Sequence, residues 1–161
     1  MAFTDLQSFL KLLEKEGELK RVTEEVDPEL EVTEIATRAV KENLPALLFE
    51  NVKGSKFPLV INSTASLRRI ELSLGRPAEA LGEDIVKFME DVNPPSLGSF
   101  WRNRKTGWRL LKIRPKNTRR ALSQQVVREP QLDELPILKC WPEDGGRFFT
   151  LPLVMSRDPK T

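Results

Sequence analysis

The stretch Leu135–Pro159 reads LPILKCWPEDGGRFFTLPLVMSRDP. Two apolar runs flank a Pro-Glu-Asp-Gly-Gly centre, a pattern that predicts a strand, a tight turn and a second strand. The sequence then closes at Lys160-Thr161, within what would be the next turn. Complete proteins usually cover or blunt an open sheet edge. We therefore expect this hairpin to begin a larger sheet and the chain to be the front part of a longer protein.

Composition sets broad limits on the class of protein. The 161 residues are 39% hydrophobic and 31% charged, with a formal net charge of +2, which suits a soluble globular chain. No apolar run approaches the length of about 18 residues that a membrane span needs, and the N-terminus lacks the apolar core of a signal peptide. A lone cysteine, Cys140, is ordinary in a reducing compartment. The sequence thus predicts a cytoplasmic protein.

The chain contains no histidine. This absence excludes Ser-His and Cys-His nucleophile pairs and imidazole metal ligands from these residues, and a single cysteine excludes a thiolate zinc site. A metal held by these residues alone would need carboxylate and carbonyl oxygens, which suit Mg²⁺ or Ca²⁺. We therefore predict no catalytic residue set and no metal site within the chain.

Residues 1–97 predict a compact domain of interleaved helices and strands. Thr4 and Gln7 have capping-box spacing ahead of a first helix, which Gly17 ends. Asp27-Pro28 has the form of an N-cap followed by proline at the first helical position. Periodicity and turn residues predict the other elements: strands at Glu18–Val22, Ala46–Val52 and Phe57–Asn62, and helices from Pro28 to the stop at Asn43-Leu44-Pro45, over Leu67–Leu74 and over Ala78–Asp91.

A basic segment, residues 98–121, follows the boundary Asn93-Pro94-Pro95-Ser96. It contains nine Lys/Arg and no acidic residue, with Trp101 and Trp108 as candidate stacking surfaces. Such a composition fits a nucleic-acid contact, but a charge run without a matching fold motif is more often a solvated or docked connector. We interpret residues 98–121 as a basic linker and residues 122–161 as the start of a β domain, and we expect no nucleic-acid partner.

The turn and the strand after it hold further candidate residues. Asp144-Gly145-Gly146 is a turn signal, because glycine adopts positive φ at little cost. Such a turn can also present N–H groups to a phosphate, although a plain hairpin turn is commoner. On local grounds Thr150 is a structural strand residue, Pro152 indicates an edge or a bulge, and Cys140 is packed because no base adjoins it.

An acidic cluster near the second helix supplies oxygens that would suit a hard cation. Its spacing lacks the glycine-containing loop of a calcium hand, and carboxylates gather near helix N-termini because the helix dipole favours them there. We therefore interpret the cluster as charges of a helix start. Its members are Glu24, Glu25, Asp27, Glu29 and Glu31.

Four stretches carry a family resemblance: Gly17–Val22 with Glu25–Pro28, Pro45–Gly54, Arg68–Gly75, and Leu135–Pro159. The last is the most specific, since Leu-Lys-Cys-Trp-Pro-Glu-Asp-Gly-Gly-Arg-Phe is followed by Thr-Leu-Pro-Leu-Val. Through these stretches the chain resembles the N-terminal third of the UbiD family of prenylated-flavin-dependent decarboxylases. Its best match is the 3-polyprenyl-4-hydroxybenzoate carboxy-lyase branch and close relatives.

The resemblance implies a fold and a chemistry. The fold class would be α+β, with an N-terminal mixed α/β domain at residues 1–97 and the first strands of a split, flavin-binding-like β-barrel from residue 122. In the family, prenylated FMN forms an adduct with an aromatic or unsaturated acid, CO₂ leaves, and a glutamic acid protonates the remaining carbon. Mn²⁺ and a monovalent cation accompany the cofactor.

The resemblance also implies where site residues lie. Family members place the catalytic Glu, an Arg near the flavin and the Asn, His and Glu metal ligands after this hairpin, so none of these is carried over. By position, the strand leading toward the cofactor supplies Thr150, Leu151 and Pro152 as lining candidates. The turn before that strand would be shaped by Asp144, Gly145 and Gly146.

These expectations combine into one hypothesis and one alternative. The hypothesis is the N-terminal part of a UbiD-type (de)carboxylase of quinone biosynthesis, homo-oligomeric, acting on a small aromatic acid, with peripheral membrane contact allowed. As an isolated chain it would be inactive and would bind no cofactor. The alternative is a non-catalytic module that pairs with a separate chain or binds an anion through residues 98–121.

Overall fold

The computed structural model describes residue 3, residues 5–92, 108 and 121, and residues 125–149. By backbone contacts the chain divides into two compact units. In one unit, the described residues up to Ser73 are joined by those from Gln131 onward. The other contains the described residues between Leu74 and Pro130.

The first helix, α1, runs over Leu6–Lys15. Its capping box lies one residue later than the sequence predicts: the Asp5 carboxylate accepts the Ser8 N–H at 2.7 Å, and the Asp5 N–H donates to the Ser8 hydroxyl at 3.4 Å. Asp is at least as favourable an N-cap as Thr, so the Asp5 and Ser8 pair can take this role in place of Thr4 and Gln7. Gly17, with φ of 73°, ends the helix as predicted, in the left-handed region where glycine carries no Cβ penalty.

A β-α-β unit follows. Strand β1 is Leu19–Val26, helix α2 is Glu31–Lys41 and strand β2 is Ala46–Val52. The strands are parallel, from Leu19 opposite Ala46 to Val26 opposite Val52, with an irregularity between Val22 and Glu25. A parallel pair needs such a crossover connection, and α2 provides it.

The predicted helix start at Asp27-Pro28 is wrong. Helix α2 begins at Glu31, after Leu30, which has a positive φ of 68°. The backbone of residues 28–30 instead pairs with Lys139, more than a hundred positions along the chain. A local cap pattern cannot reveal a competing partner that distant.

Strand β2 is buried on both faces, which explains its nearly continuous apolar run. On the face covered by α2, Leu47, Phe49 and Val52 pack with Val32 and Ala39. On the face covered by α1, Ala46 and Leu48 pack with Phe9, Leu13 and Leu19. The short strand β3, Leu59–Ile61, pairs antiparallel with β2 and completes the order β1-β2-β3. The mixed α and β class predicted for this part of the chain is confirmed.

Helix α3 spans Leu67–Leu74 and buries a charge. The Arg69 side chain is only 3% exposed; its Nη1 donates to Glu18 at 3.0 Å and to the Leu44 carbonyl at 3.2 Å. Such a buried guanidinium is tolerated because it is paired and hydrogen-bonded. It links α3 to the beginnings of β1 and β2.

Helix α4 spans Ala78–Val92. Arg76 precedes it and pairs with Asp84 at 2.7 Å. The apolar residues Ile85, Val86 and Met89 are each more than half exposed. Among the described residues, this helix therefore presents an uncovered apolar side.

The last described stretch, residues 131–149, is called here the docked segment. A short 3-10 helix at Leu132–Glu134 begins it, and an antiparallel bridge joins Leu138 to Phe148. The bridge agrees with the first rungs of the predicted hairpin. The second predicted strand continues into Thr150–Pro159, which lies outside the described residues.

Candidate functional site

The docked segment is held to the end of β1 mainly by one residue, Lys139. Its carbonyl accepts the Leu30 N–H at 2.9 Å, and its N–H donates to the Pro28 carbonyl at 3.2 Å. Its ammonium pairs with Glu29 at 3.2 Å. Beside it, Leu138 packs against the core on the α2 face of the sheet. These contacts fix where the turn that follows is placed.

A second contact lies at the β2–β3 turn. The Ser55 hydroxyl donates to the Glu134 carbonyl at 2.7 Å and accepts the Phe57 N–H at 3.0 Å. The Lys56 ammonium lies 3.5 Å from the Glu134 carboxylate. The turn that joins two strands of the sheet thus also anchors the start of the docked segment.

Asp27 connects these contacts electrostatically. Its carboxylate accepts the Lys53 ammonium at 2.8 Å and the Glu29 N–H at 2.9 Å. These two hydrogen bonds, with the charges of Lys53 and Arg147, hold the pKa of the Asp27 carboxyl below its ordinary value. The same pairing raises the pKa of Lys53. Arg147 belongs to the docked segment, so Asp27 attracts cations from both sides of the contact.

A hydrogen-bonded turn at Trp141–Asp144 immediately precedes the glycine pair of the predicted turn, and Asp144 organises it. Its carboxylate accepts the N–H groups of Cys140 at 3.2 Å and Trp141 at 2.9 Å, and its own N–H donates to the Trp141 carbonyl at 3.1 Å. Neither Gly145 nor Gly146 has a positive φ. The turn therefore depends on the aspartate side chain rather than on left-handed glycines.

The Asp144 carboxylate accepts the N–H groups of Cys140 and Trp141 and places a negative charge at this turn, where it would repel a nearby phosphate. This geometry favours the structural interpretation of the turn. Cys140, 9% exposed, is buried as predicted.

The remaining sequence-predicted residues fall elsewhere. Thr150, Leu151 and Pro152 lie outside the described residues, as does the basic segment 98–121 apart from Trp108 and Ala121. Asp144, Gly145 and Gly146 lie together at the surface, with open space beside both glycines. The structure thus describes the turn that precedes Thr150, Leu151 and Pro152 but not these three residues.

An open groove of about 480 Å³ lies beside the docked segment, at the carboxyl ends of the parallel strands β1 and β2. Its Ser55 hydroxyl is already held by two hydrogen bonds, and the Asn51 amide donates to the Thr23 carbonyl. These polar groups stabilise the turn and are not arranged as a nucleophile with its base. The lining residues are Glu25, Asn51, Val52, Gly54, Ser55 and Lys56.

The acidic cluster is distributed among ion pairs. Asp27 pairs with Lys53 and Glu29 with Lys139, while Glu31 accepts the Asp27 N–H at 2.6 Å. Within the ranges that the structure describes, no three His, Cys, Asp or Glu side chains are grouped so that they could hold a metal ion. These residues do not offer Mn²⁺ a ligand set, and we derive no catalytic step through a metal.

Sequence reasoning missed the contact around Lys139. Lys139 and Glu29 have complementary charges, but many such pairs exist in a chain that is 31% charged. The Leu30 backbone conformation was also invisible, because an apolar residue gives no signal for positive φ. Only the tertiary arrangement shows that residues 134–140 rest on residues 28–30 and 55–56.

Comparison with known proteins now assigns the family. Residues 10–89 match the family model of the 3-octaprenyl-4-hydroxybenzoate carboxy-lyase N-terminal domain, UbiD_N. Residues 114–161 match that of the 3-octaprenyl-4-hydroxybenzoate carboxy-lyase Rift-related domain, UbiD. The chain belongs to the UbiD family and corresponds to its N-terminal portion, which confirms the resemblance.

Individual relatives agree with this assignment. An uncharacterized protein of Archaeoglobus fulgidus is 41% identical over 162 residues, covering 100% of this chain and 33% of the relative. Vanillic acid decarboxylase of Sedimentibacter hydroxybenzoicus, ShVdcCD, is similar in its closed form (28% identity, 91% of this chain, 29% of that chain, TM-score 0.64). Its open form with truncated ShVdcD gives 29% identity, 91% and 30% coverage, and a TM-score of 0.63. The chain thus spans about a third of the length of these relatives.

The fold of the described residues is therefore similar to that of UbiD-class enzymes. No helix among the described residues is long and apolar enough to cross a membrane.

Proposed function

We propose that this chain is the N-terminal, scaffolding part of a prenylated-FMN-dependent UbiD-type (de)carboxylase. In this proposal residues 1–97 form the α/β domain, residues 98–121 a basic linker, and residues 122–161 the first strands of the split β-barrel. The parent protein would be a cytoplasmic homo-oligomer. Mn²⁺ and a monovalent cation would join the cofactor through residues supplied elsewhere in the enzyme.

The observation that carries the proposal is the docked segment. Residues that match the Rift-related domain are fastened by Lys139 and Leu138 to the sheet of the domain that matches UbiD_N. The scaffold would thereby orient the strand that leads toward the cofactor, including Thr150, Leu151 and Pro152. The turn at Asp144, Gly145 and Gly146 would set the direction of that strand. The chain itself would bind and position, and the chemistry would be supplied by the flavin when bound.

The proposed substrate is a 4-hydroxybenzoate that carries a substituent at position 3. The matching family model is described for 3-octaprenyl-4-hydroxybenzoate, and the similar solved enzyme acts on vanillic acid, a 3-methoxy-4-hydroxybenzoate. Both descriptions share the same ring. The 3-polyprenyl acid of quinone biosynthesis is the member of this class that we propose for the parent protein.

The test begins with the purified chain, prenylated FMN and Mn²⁺. After gel filtration the protein should retain no flavin absorbance, and it should release no CO₂ from 3-prenyl-4-hydroxybenzoate or vanillate. Turnover by this chain alone would contradict the proposal that it is a scaffold without catalytic activity of its own. A stable monomer that binds an anion in a salt-sensitive manner, yet never supports decarboxylation with a UbiD-class partner, would favour the non-catalytic module.

A further inference from the structure

We propose that the docked segment is a charge-dependent latch: residues 131–149 can leave the sheet as a body while the sheet itself stays folded. The inference goes beyond the scaffolding role, because it gives the segment two states. Its consequence for catalysis rests on the proposed function, whereas the release itself does not.

Apolar contact holds the latch only lightly. Leu138 packs against the sheet core from a half-buried position, and Cys140 is buried next to it. Most other large apolar side chains of the docked segment face outward: Leu132 is 61% exposed, Trp141 60% and Phe149 53%. Little apolar area would thus be returned to water when the segment leaves.

Opposite charges supply much of the remaining contact. Lys139 faces Glu29 and Glu134 faces Lys56, with at least one partner of each pair well exposed to solvent. Arg147 adds its positive charge to the field at Asp27. Exposed pairs of this kind weaken as salt screens them, because the Debye length falls to a few ångströms at high ionic strength.

The backbone attachment is also narrow. The segment is tied to the domain surface by two N–H···O bonds at Lys139 and by the Ser55 hydroxyl. By contrast, β1 and β2 pair from Leu19 opposite Ala46 to Val26 opposite Val52 with one irregularity, and β2 is buried on both faces. Local opening follows the weakest set of contacts, so the segment should open well before the sheet.

The contacts described above fasten the latch at Glu134–Cys140, and the latch carries the Asp144 turn with it. Just before the segment, Val126 is 78% exposed and Val127 is 88% exposed. In the proposed enzyme, fastening would align the strand after the turn with the scaffold, and release would free it.

Hydrogen exchange measured by mass spectrometry on the 161-residue chain tests the latch. The variants are Glu29→Lys, Lys139→Glu and the double swap of both. Each single variant places like charges together and should speed exchange of peptides covering 131–149 by about tenfold, while peptides covering strand β2, residues 46–52, stay unchanged. The double swap restores the attraction and should restore slow exchange. Raising NaCl from about 0.05 to about 0.5 M should speed exchange in the same peptides of the unmodified chain.

A matched control is available on α2, where Glu34 and Arg38 form an exposed pair at 2.7 Å away from the docked segment. Glu34→Lys should leave the exchange of 131–149 unchanged. The latch is overturned if the segment and the sheet exchange together in every variant, or if the double swap exchanges as fast as the single variants. Because no flavin or substrate is present, failure here would leave the decarboxylase proposal standing.

Discussion

At the scale of single residues, Phe49 carries the largest share of the core. Its side chain is fully buried at the centre of β2, between α2 and β3. Phe49→Ala should lower the free energy of unfolding by about 3–5 kcal/mol, because it removes buried area and leaves a cavity. Urea unfolding followed by circular dichroism measures this loss. The neighbouring Glu50→Ala, which removes only an exposed pair with Arg21, should cost less than about 1 kcal/mol; similar losses for both variants would contradict this packing.

Asp27 should make the chain sensitive to acid. Folding lowers the pKa of the Asp27 carboxyl below its ordinary value of 3.8, chiefly through the hydrogen bond from Lys53. At pH values above 3.8 the ionised carboxylate therefore stabilises the folded form. That contribution is lost as pH falls from this value through the lowered folded pKa. Asp27→Asn should flatten the acid side of the plot of unfolding midpoint against pH. If the acid side of this plot is the same in Asp27→Asn as in the unmodified chain, the Asp27 carboxyl does not contribute to the pH dependence of stability.

At the scale of elements, two glycines should respond in opposite directions to the same change. Gly17 ends α1 with φ of 73°, where a Cβ is strained, so Gly17→Ala should cost about 1 kcal/mol. Gly82 lies within α4 with open space around it, so Gly82→Ala should add helical stability of about 0.5–1 kcal/mol. Thermal melts monitored at 222 nm by circular dichroism provide the measurement. A loss at both positions would argue against the helix boundaries described.

Elements were predictable where local chemistry decides them. Strand β2 was predicted with its observed bounds, because its apolar run is buried on both faces and Pro45 and Gly54 bracket it. The start of α2 was missed because residues 28–30 pair with Lys139, a contact that no local pattern encodes. The hydrogen-bonded turn lies at Trp141–Asp144, just before the predicted glycine pair, and the Asp144 side chain stabilises it without a positive φ at either glycine.

At the scale of the whole molecule, the family and the mixed α and β class could be predicted, whereas the contact of residues 134–140 with residues 28–30 and 55–56 could not. The stretch around Asp144 is specific enough to indicate the family from the sequence alone. The place where that stretch rests, on Pro28–Leu30 and Ser55, depends on backbone bonds and one half-buried leucine. Site residues such as Thr150 stay predictions, because the described residues end just before them.

The contact between the docked segment and the sheet core should also be detectable by mutation of Leu138. Leu138→Ala removes the one side chain of the docked segment that packs on the sheet core, and should lower the stability of the docked state by about 1 kcal/mol. Limited proteolysis should then cut within residues 131–149 sooner, with the sheet fragment remaining intact. Leu132→Ala, at a side chain that is 61% exposed, serves as the control and should leave the cleavage rate unchanged. If both variants are cleaved within residues 131–149 at the same rate, the Leu138 side chain does not hold the docked segment on the sheet.

The most direct test of the account is a chimera in which this chain replaces the matching N-terminal portion of vanillic acid decarboxylase, the similar solved enzyme. If the chain is the scaffold of a UbiD-type decarboxylase, the chimera should retain prenylated FMN and release CO₂ from vanillate, and Phe49→Asp in the chimera should abolish both. A chimera that folds and assembles like the parent enzyme, yet holds no flavin and releases no CO₂, would contradict the account.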